Sequence, residues 1–389
     1  MRSVVRLMAL LALIASAGNS LTAQHRVDIE EFVKLESVLQ AALATASPFV
    51  VTIETFGGTR RVLAGGPTID GQGPPQPGQP GRRTPRTRMP LKKPGFQQTQ
   101  GRSSGIIIGA DGWILVSRFS LNYDPTTILV TIPGGETHHA ERRGEDTSRG
   151  IAVLKIDAED LPVAPLVNPD DVRVGQWAFA LGRTFGAQDP TVHIGIVSAR
   201  HRQFGRALQI DAYTSPANYG GPVVDIHGRV LGLAVPLSPA GRDAGVEWYD
   251  SGIGFAATIA GIPELIDRMK QGETLHRGWL GVSLEPSHLG PGAKLSGTPK
   301  DGVAAQADLR KGDIILEIDG VKVKNGFHLQ MLVSSRMGGD AVGMKVKKKR
   351  EKEPVSLTVL LADAPWEERE EGGNEVPASF SLPEKDDGR

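Results

Sequence analysis

The chain has 389 residues, 44 basic against 44 acidic side chains, and no cysteine. That length exceeds one typical domain, so two or three are expected, and zero net charge supplies no global field for nucleic acid or an anionic membrane. The absence of cysteine excludes disulfides, thiolate metal sites and a cysteine nucleophile.

The N-terminus comes first. Arg2 and Arg6 flank an apolar run at 7–17, and small residues follow. This order is that of a secretory signal peptide over 1–23, with the mature chain beginning near Gly18 or Gln24 in the periplasm or outside the cell. An uncleaved anchor is the alternative, although the run is shorter than the roughly 20 residues that span a bilayer. No later segment is apolar enough to cross a membrane, so no span is expected after signal cleavage.

Residues 24–56 hold a predicted helix and a first strand. Ile29, Phe32, Val33, Leu35, Val38, Leu39 and Ala42 recur at helical spacing over 26–46. Ser47-Pro48 ends the helix, and the β-branched run 49–54 reads as a strand. The segment 57–103 is rich in Gly, Pro and Arg. It carries Arg82, Arg83, Arg86, Arg88, Lys92 and Lys93, and no acidic residue falls between Asp70 and Asp111. A tail for an acidic partner is one reading. A solvated, disordered loop is the preferred one, because no aromatic residue is interleaved to stack on bases.

Residues 104–270 are a series of short apolar runs with Gly-rich turns, among them 113–116, 151–155, 178–181 and 230–235. That spacing predicts an all-β barrel or sandwich, beginning near residue 48, closed by a short helix at 262–269. A second unit spans 278–363, with strand-like runs at 279–282 and 312–320, a helix at 327–335 and two closing strands. The lysines of 345–350 alternate as on a solvated strand face. Residues 364–389 are acidic and read as a disordered tail.

Several motifs carry a family resemblance. The stretch 103–115, SSGIIIGADGWIL, is similar to a first-barrel hairpin, and GIAVLKI at 150–156 is similar to a DIAVLKI strand. Ala217-Asn218-Tyr219-Gly220-Gly221-Pro222 resembles a GNSGGP nucleophile loop, and 309–316, LRKGDIIL, resembles the PDZ signature GLKKGDVIL. In this order and spacing they resemble the HtrA (DegP-like) family over residues 35–363. The fold implied is mainly β: a trypsin-like double β-barrel followed by an α+β PDZ domain.

The resemblance also implies where the chemistry should be. The family histidine falls on Phe119, its aspartate on Gly150 and its serine on Tyr219. Serine attack needs an imidazole to take the proton and a carboxylate to hold that imidazole's tautomer. Phenylalanine and glycine supply neither. The glycine of the family's oxyanion hole falls on Ala217, and a left-handed backbone there would be disfavoured by roughly 1–2 kcal/mol. No catalytic residue is therefore expected. Ser117, Ser120, Ser215, His138, His139, His193 and His201 lie outside any recognisable triad. His138-His139 are neighbours pointing to opposite faces, so no metal site is expected, and no cofactor is implied.

The PDZ unit keeps its working parts. Its carboxylate-binding loop falls on Trp279-Leu280-Gly281-Val282, and Leu329 and Val333 on the helix are candidates for the side-chain pocket. Such a groove binds protein C-termini or unfolded peptide segments by strand addition. The reading is an exported HtrA-like pseudoprotease serving as envelope chaperone, adaptor or assembly partner, assembling with itself or with HtrA-like relatives. The alternatives are an active serine endopeptidase of envelope quality control, and a scaffold using neither groove.

Overall fold

The computed structural model describes residues 29–62, 95–98, 101–122, 124–184, 189–237, 251–299, 302–351 and 353–364. The signal-peptide reading of 1–23 and the tail from 365 onward lie outside them. Helix α1 (Ile29–Ala46) opens the described chain. Only its last turns are anchored: Ala42 and Ala46 are buried while Val33, Leu35 and Val38 stay exposed. Pro48 then turns the chain through a short 3-10 segment into β1 (Val50–Phe56).

The first barrel contains β1, β4 (Gly101–Gly109), β5 (Trp113–Ser117), β6 (Thr127–Thr131), β7 (Thr137–Asp146) and β8 (Ile151–Ile156). Between β1 and β4 lies a further pair, β2 (Thr59–Val62) with β3 (Gly95–Gln98). The strand order β7-β6-β1-β4-β5-β8 is closed by β7 pairing β8. Ile53, Ile106, Ile114, Leu115, Val153 and Leu154 fill it and are fully buried. Closure removes the free edges that a flat sheet would expose.

The second barrel uses β9 (Trp177–Gly182), β10 (Thr191–Arg202), β11 (Ala207–Ile210), β12 (Pro222–Val224), β13 (Val230–Val235) and β14 (Gly254–Ala257), closed in the order β10-β11-β14-β13-β12-β9. Its own core combines small residues, Ala178, Ala180, Ala234 and Ala256 among them, with Leu208, Ile210 and Leu231. The larger Phe179, Leu181, Leu233 and Phe255 join the first barrel's core instead. Arg183 joins the two barrels through its Nε–H to Val50 O at 2.9 Å, and Thr52 Oγ1 donates to Arg183 O at 2.5 Å.

Helix α2 (Pro263–Lys270) and β15 (Thr274–Leu275), which runs parallel to β7, lead out of the barrels. The PDZ unit follows: β16 (Gly278–Trp279), β17 (Ser283–Leu284), β18 (Ala293–Gly297), α3 (Val303–Gln306), β19 (Ile314–Ile318), β20 (Val321–Lys322), α4 (Gly326–Ser334), β21 (Ala341–Lys347), β22 (Val355–Leu360) and β23 (Ala362–Asp363). Its sheet runs β17-β18-β19-β21-β22, while β16 pairs β23. The two units touch directly. Met337 is buried in the barrel core cluster, and Gly338 N–H donates to His276 O at 3.0 Å.

The expected double barrel with one PDZ domain is the fold found. The disordered loop over 57–103 needs correction. Residues 59–62 and 95–98 pair as strands, and β4 already begins at Gly101, where Arg102 and Glu54 form an ion pair. Gly and Arg carry little strand propensity, so pairing with β1 decides the matter. Residues 63–94 lie outside the described chain. Among the described residues no helix is long and apolar enough to cross a membrane.

Candidate functional site

Phe119 sits in a single 3-10 turn, Arg118–Leu121, immediately after β5. Its start is capped by Ser117, whose Oγ accepts from Phe119 N–H at 3.3 Å. Tyr219 sits at the end of the loop before β12 and is 2% exposed. The two rings, far apart in sequence, meet edge to face with centroids 5.4 Å apart and planes at 72°. Two of the three positions that the sequence assigned to a triad are thus adjacent, and they hold one aromatic pair.

The third position is close by. Gly150 O accepts from Arg118 N–H at 2.9 Å, so it is hydrogen-bonded to the residue before Phe119. Gly150 has φ +69°, and a Cβ built there would meet nothing within 4 Å. The space for a carboxylate exists and is empty of one. The nearest acid in sequence, Asp146, is fully buried and already committed. Its Oδ1 accepts from Ser148 Oγ and from the N–H groups of Ser148 and Arg149, and its Oδ2 takes Arg149 Nη1 at 2.7 Å. Asp146 therefore builds the turn and is not oriented toward a base.

The backbone donors of the loop are engaged as well. Asn218 and Tyr219 N–H both donate to Ser215 O, at 3.0 and 3.1 Å, winding 215–219 into one turn. The N–H at the nucleophile position is one of the two donors an oxyanion hole requires, and here it points back into its own loop. This corrects the sequence argument about the hole. Ala217 is not among the positive-φ residues, so alanine strains nothing. The engaged donor lies at Tyr219, not at Ala217.

Several of the remaining hydroxyls and imidazoles have neighbours of their own. Ser103 Oγ donates to Ser120 Oγ at 2.6 Å, and both are buried. Ser215 presents its backbone to Asn218, whose Oδ1 accepts from Ser215 N–H at 2.8 Å. His138 lies beside Glu136, His193 beside Tyr213, and His201 is exposed with a left-handed backbone near the end of β10. Among the described residues no group of His, Asp or Glu is arranged to hold a metal ion.

The PDZ groove contrasts with this. A cleft of about 160 Å³ is lined by Trp279, Leu280, Gly281, Val282, Leu329 and Val333, the six residues expected, together with Arg277, Gly278, Leu284, Gln330 and Ser334. These five were missed because a small, polar or strand-end residue gives no pocket signal in sequence. Leu280, Leu329 and Val333 form the buried floor. Gly281 has φ +69°, and an added Cβ would lie 3.1 Å from the Trp279 indole, so the loop conformation depends on glycine. Among the described residues nothing accepts from the N–H groups of Leu280, Gly281 or Val282. Among the described residues strand β17 pairs only with β18, and no strand pairs its other edge, beside α4. These are the parts that strand addition and carboxylate capture require.

A trypsin-like double barrel carrying a PDZ peptide groove defines the class. Residues 103–233 match the trypsin-like peptidase domain and residues 278–359 match the PDZ domain. A probable periplasmic serine endoprotease, DegP-like, from Pseudomonas fluorescens is 31% identical over 376 residues, covering 90% of this chain and 74% of that one. Its namesake in Halomonas elongata is 32% identical over 319 residues, 76% of this chain and 65% of its own. The chain belongs to the HtrA (DegP-like) family. It spans 65%, 56% and 54% of the first three curated relatives it matches. Among solved structures, the HtrA-type protease AlgW with decapeptide superposes with a TM-score of 0.60 at 26% identity, over 84% of this chain and 99% of that one. The serine endoprotease from Yersinia pestis gives a TM-score of 0.56 at 25% identity, over 84% of this chain and 98% of that one.

Proposed function

We propose that this chain is an exported pseudoprotease that holds C-terminal or unfolded peptide segments in its PDZ groove and does not hydrolyse them. Within the cell envelope it acts as a chaperone, an adaptor or an assembly partner of itself or of HtrA-like relatives. The periplasmic names of the relatives and the AlgW structure with its bound decapeptide support the location and the ligand class.

One observation carries the loss of hydrolysis: the Phe119–Tyr219 ring pair stands where base and nucleophile would be. A phenyl ring accepts no proton. A tyrosine hydroxyl is a poor nucleophile unless a base is at hand. The N–H of residue 219, held by Ser215 O, gives a tetrahedral oxyanion one donor fewer.

The names of the relatives favour a second reading, an active serine endoprotease whose nucleophile has moved. One experiment separates the two. Purified chain is incubated with casein and with a labelled fluorophosphonate, and in parallel with immobilised hydrophobic C-terminal peptides. The pseudoprotease reading expects peptide capture with neither cleavage nor labelling. Cleavage that fluorophosphonate blocks and that survives Tyr219→Phe would overturn it.

A further inference from the structure

The two walls of the PDZ cleft run in opposite directions. Gly278 N–H donates to Arg336 O at 2.9 Å, which sets the start of the stretch 278–284 beside the C-terminal end of α4. At the other end, a Cβ built on Gly326, the first residue of α4, would lie 3.1 Å from Leu284 Cδ1. A peptide that adds antiparallel to β17 therefore has its last residue near Val333 and Ser334, and its upstream residues near the first turn of α4.

That first turn carries an apolar side chain the cleft does not use. Phe327 is 67% exposed. Along α4, Phe327, Gln330 and Ser334 are spaced by three and four residues, so they share one stripe of the helix. Gln330 and Ser334 line the cleft, and Phe327 extends the same wall one turn beyond it. The opposite wall ends in the loop 285–292, whose tip, Leu289, is 99% exposed. Gly292 N–H donates to Val323 O at 3.1 Å, which ties that loop to the segment entering α4. Two exposed apolar side chains thus stand at the same end of the groove.

The spacing picks out one peptide position. At about 1.5 Å per residue, Phe327 lies roughly 10 Å along α4 from Val333 and Ser334. Helical side chains lean toward the helix N-terminus, which carries the ring a few Å further. An extended strand advances about 3.4 Å per residue, so the residue four before the last lies about 14 Å upstream. Strand alternation turns that residue to the same face as the last one, toward α4, and turns the residue three before the last away.

We propose that Phe327 and Leu289 form a second anchor of the groove, and that this chain selects C-terminal segments carrying an apolar residue four before the last. The inference rests on the peptide-binding reading above and adds a length requirement to it. Four C-terminal residues fall short of the anchor, and five reach it. The ligand is an extended C-terminal tail with two apolar side chains, one for the floor made by Leu280, Leu329 and Val333 and one for the outer pair. Covering exposed apolar surface with a single aliphatic side chain is enough for a severalfold gain in affinity.

The test titrates the full-length chain against fluorescein-labelled serine heptapeptides ending in Val with a free carboxylate. They carry Leu four before the last residue, Leu three before it, or no Leu, and the tetrapeptide Ser-Ser-Ser-Val is the short control. Anisotropy should show the first peptide binding at least about fivefold more tightly than the other three, which should bind alike. In Phe327→Ala that advantage should fall to about twofold or less, while the tetrapeptide binds as before and the chain melts at the same temperature. Phe327→Leu should keep most of the advantage, and Leu289→Ser should lose part of it. No gain from Leu, an equal gain at either position, or a gain that survives Phe327→Ala would overturn the anchor and leave the groove reading standing. Indifference to Leu289→Ser would take Leu289 out of it. If no peptide binds at all, the groove reading and the anchor fall together.

Discussion

The barrel site and the PDZ groove inherit opposite fates from one family architecture. In the barrel, the positions that the family resemblance assigns to base and nucleophile hold two aromatic rings in contact, and the N–H of Tyr219 is engaged by its own loop. In the PDZ unit, the N–H groups of Leu280, Gly281 and Val282 have no acceptor among the described residues, the floor is apolar, and no described strand pairs with the outer edge of β17. A buried aromatic pair stabilises a fold but moves no proton. An open edge with unpaired donors costs stability and is retained where a ligand completes it. Under the proposed function, the contrast is that of a fold keeping its recognition surface after losing its reaction centre.

The sharpest way to break that contrast is to look for turnover. Loss of a complete triad costs about 10⁶ in rate in a serine protease, and the purified chain should fall at least that far below an active HtrA-type enzyme on casein. Restoring Phe119→His, Gly150→Asp and Tyr219→Ser together should recover little. Gly150 has open space for a carboxylate, and Asp tolerates its left-handed backbone better than most residues do. The engaged N–H at 219 would still have to leave Ser215 O before an oxyanion could be bound. Fluorophosphonate labelling of the triple variant at a rate near that of an active relative would show that the loop rearranges freely.

Removing the ring tests whether Tyr219 has become structural. Large-to-small changes at buried aromatics cost about 3–5 kcal/mol through lost contacts and the cavity left behind. Tyr219→Ser should therefore lower barrel stability by about 3 kcal/mol in urea titration while remaining inactive. Tyr219→Phe keeps the ring and should cost about 1 kcal/mol, the worth of a hydroxyl's hydrogen bond. A Tyr219→Ser chain as stable as the parent would mean that the ring fills no space the fold needs.

What was readable in sequence follows from the same division. β5 and β8 could be read directly because Ile114, Leu115, Val116, Val153 and Leu154 are apolar without interruption. The expectation of a vacated triad rests on family motifs on both sides that set the register of Phe119, Gly150 and Tyr219; the structure brings Phe119 and Tyr219 into ring contact. The start of β4 could not, since Gly101, Arg102 and Ser103 become a strand only by pairing with Ile53, Glu54 and Thr55. Nor could the engagement of the Tyr219 N–H, a backbone event that leaves no trace in residue type. Arg277 was missed for a third reason. Its part in the groove and the junction depends on β23 returning beside β16 and on the β10–β11 turn bringing Phe204 against it.

On the groove side, the largest single lesion should be Gly281→Val. A β-branched residue at φ +69° is strained, and its Cβ would press on the Trp279 ring at 3.1 Å. Affinity for a hydrophobic C-terminal peptide, expected on the order of micromolar, should drop by more than about tenfold, while the barrel unfolds at the same urea concentration as before. Amidating the peptide should weaken binding to a similar degree, because the N–H groups of Leu280, Gly281 and Val282 lose their anion. If the amidated and free peptides bind alike, the groove is not the carboxylate site.

The smallest effect is the most specific to the barrel. If Phe119 and Tyr219 were merely two apolar residues in the same neighbourhood, their truncations would add. Edge-to-face aromatic pairs carry about 0.5–1.5 kcal/mol beyond area burial, from the fit of one ring's edge to the other's face. A double-mutant cycle over Phe119→Leu and Tyr219→Leu should return a coupling in that range, since residues in contact depart from additivity. Phe119→His in the Tyr219 background should keep much of that coupling, because imidazole presents a similar edge. A coupling near zero would mean that the rings touch without stabilising each other. Their pairing at 5.4 Å would then be incidental to two separate losses, and the view that the reaction centre was remade into a structural contact would fail even though the protein stayed inactive.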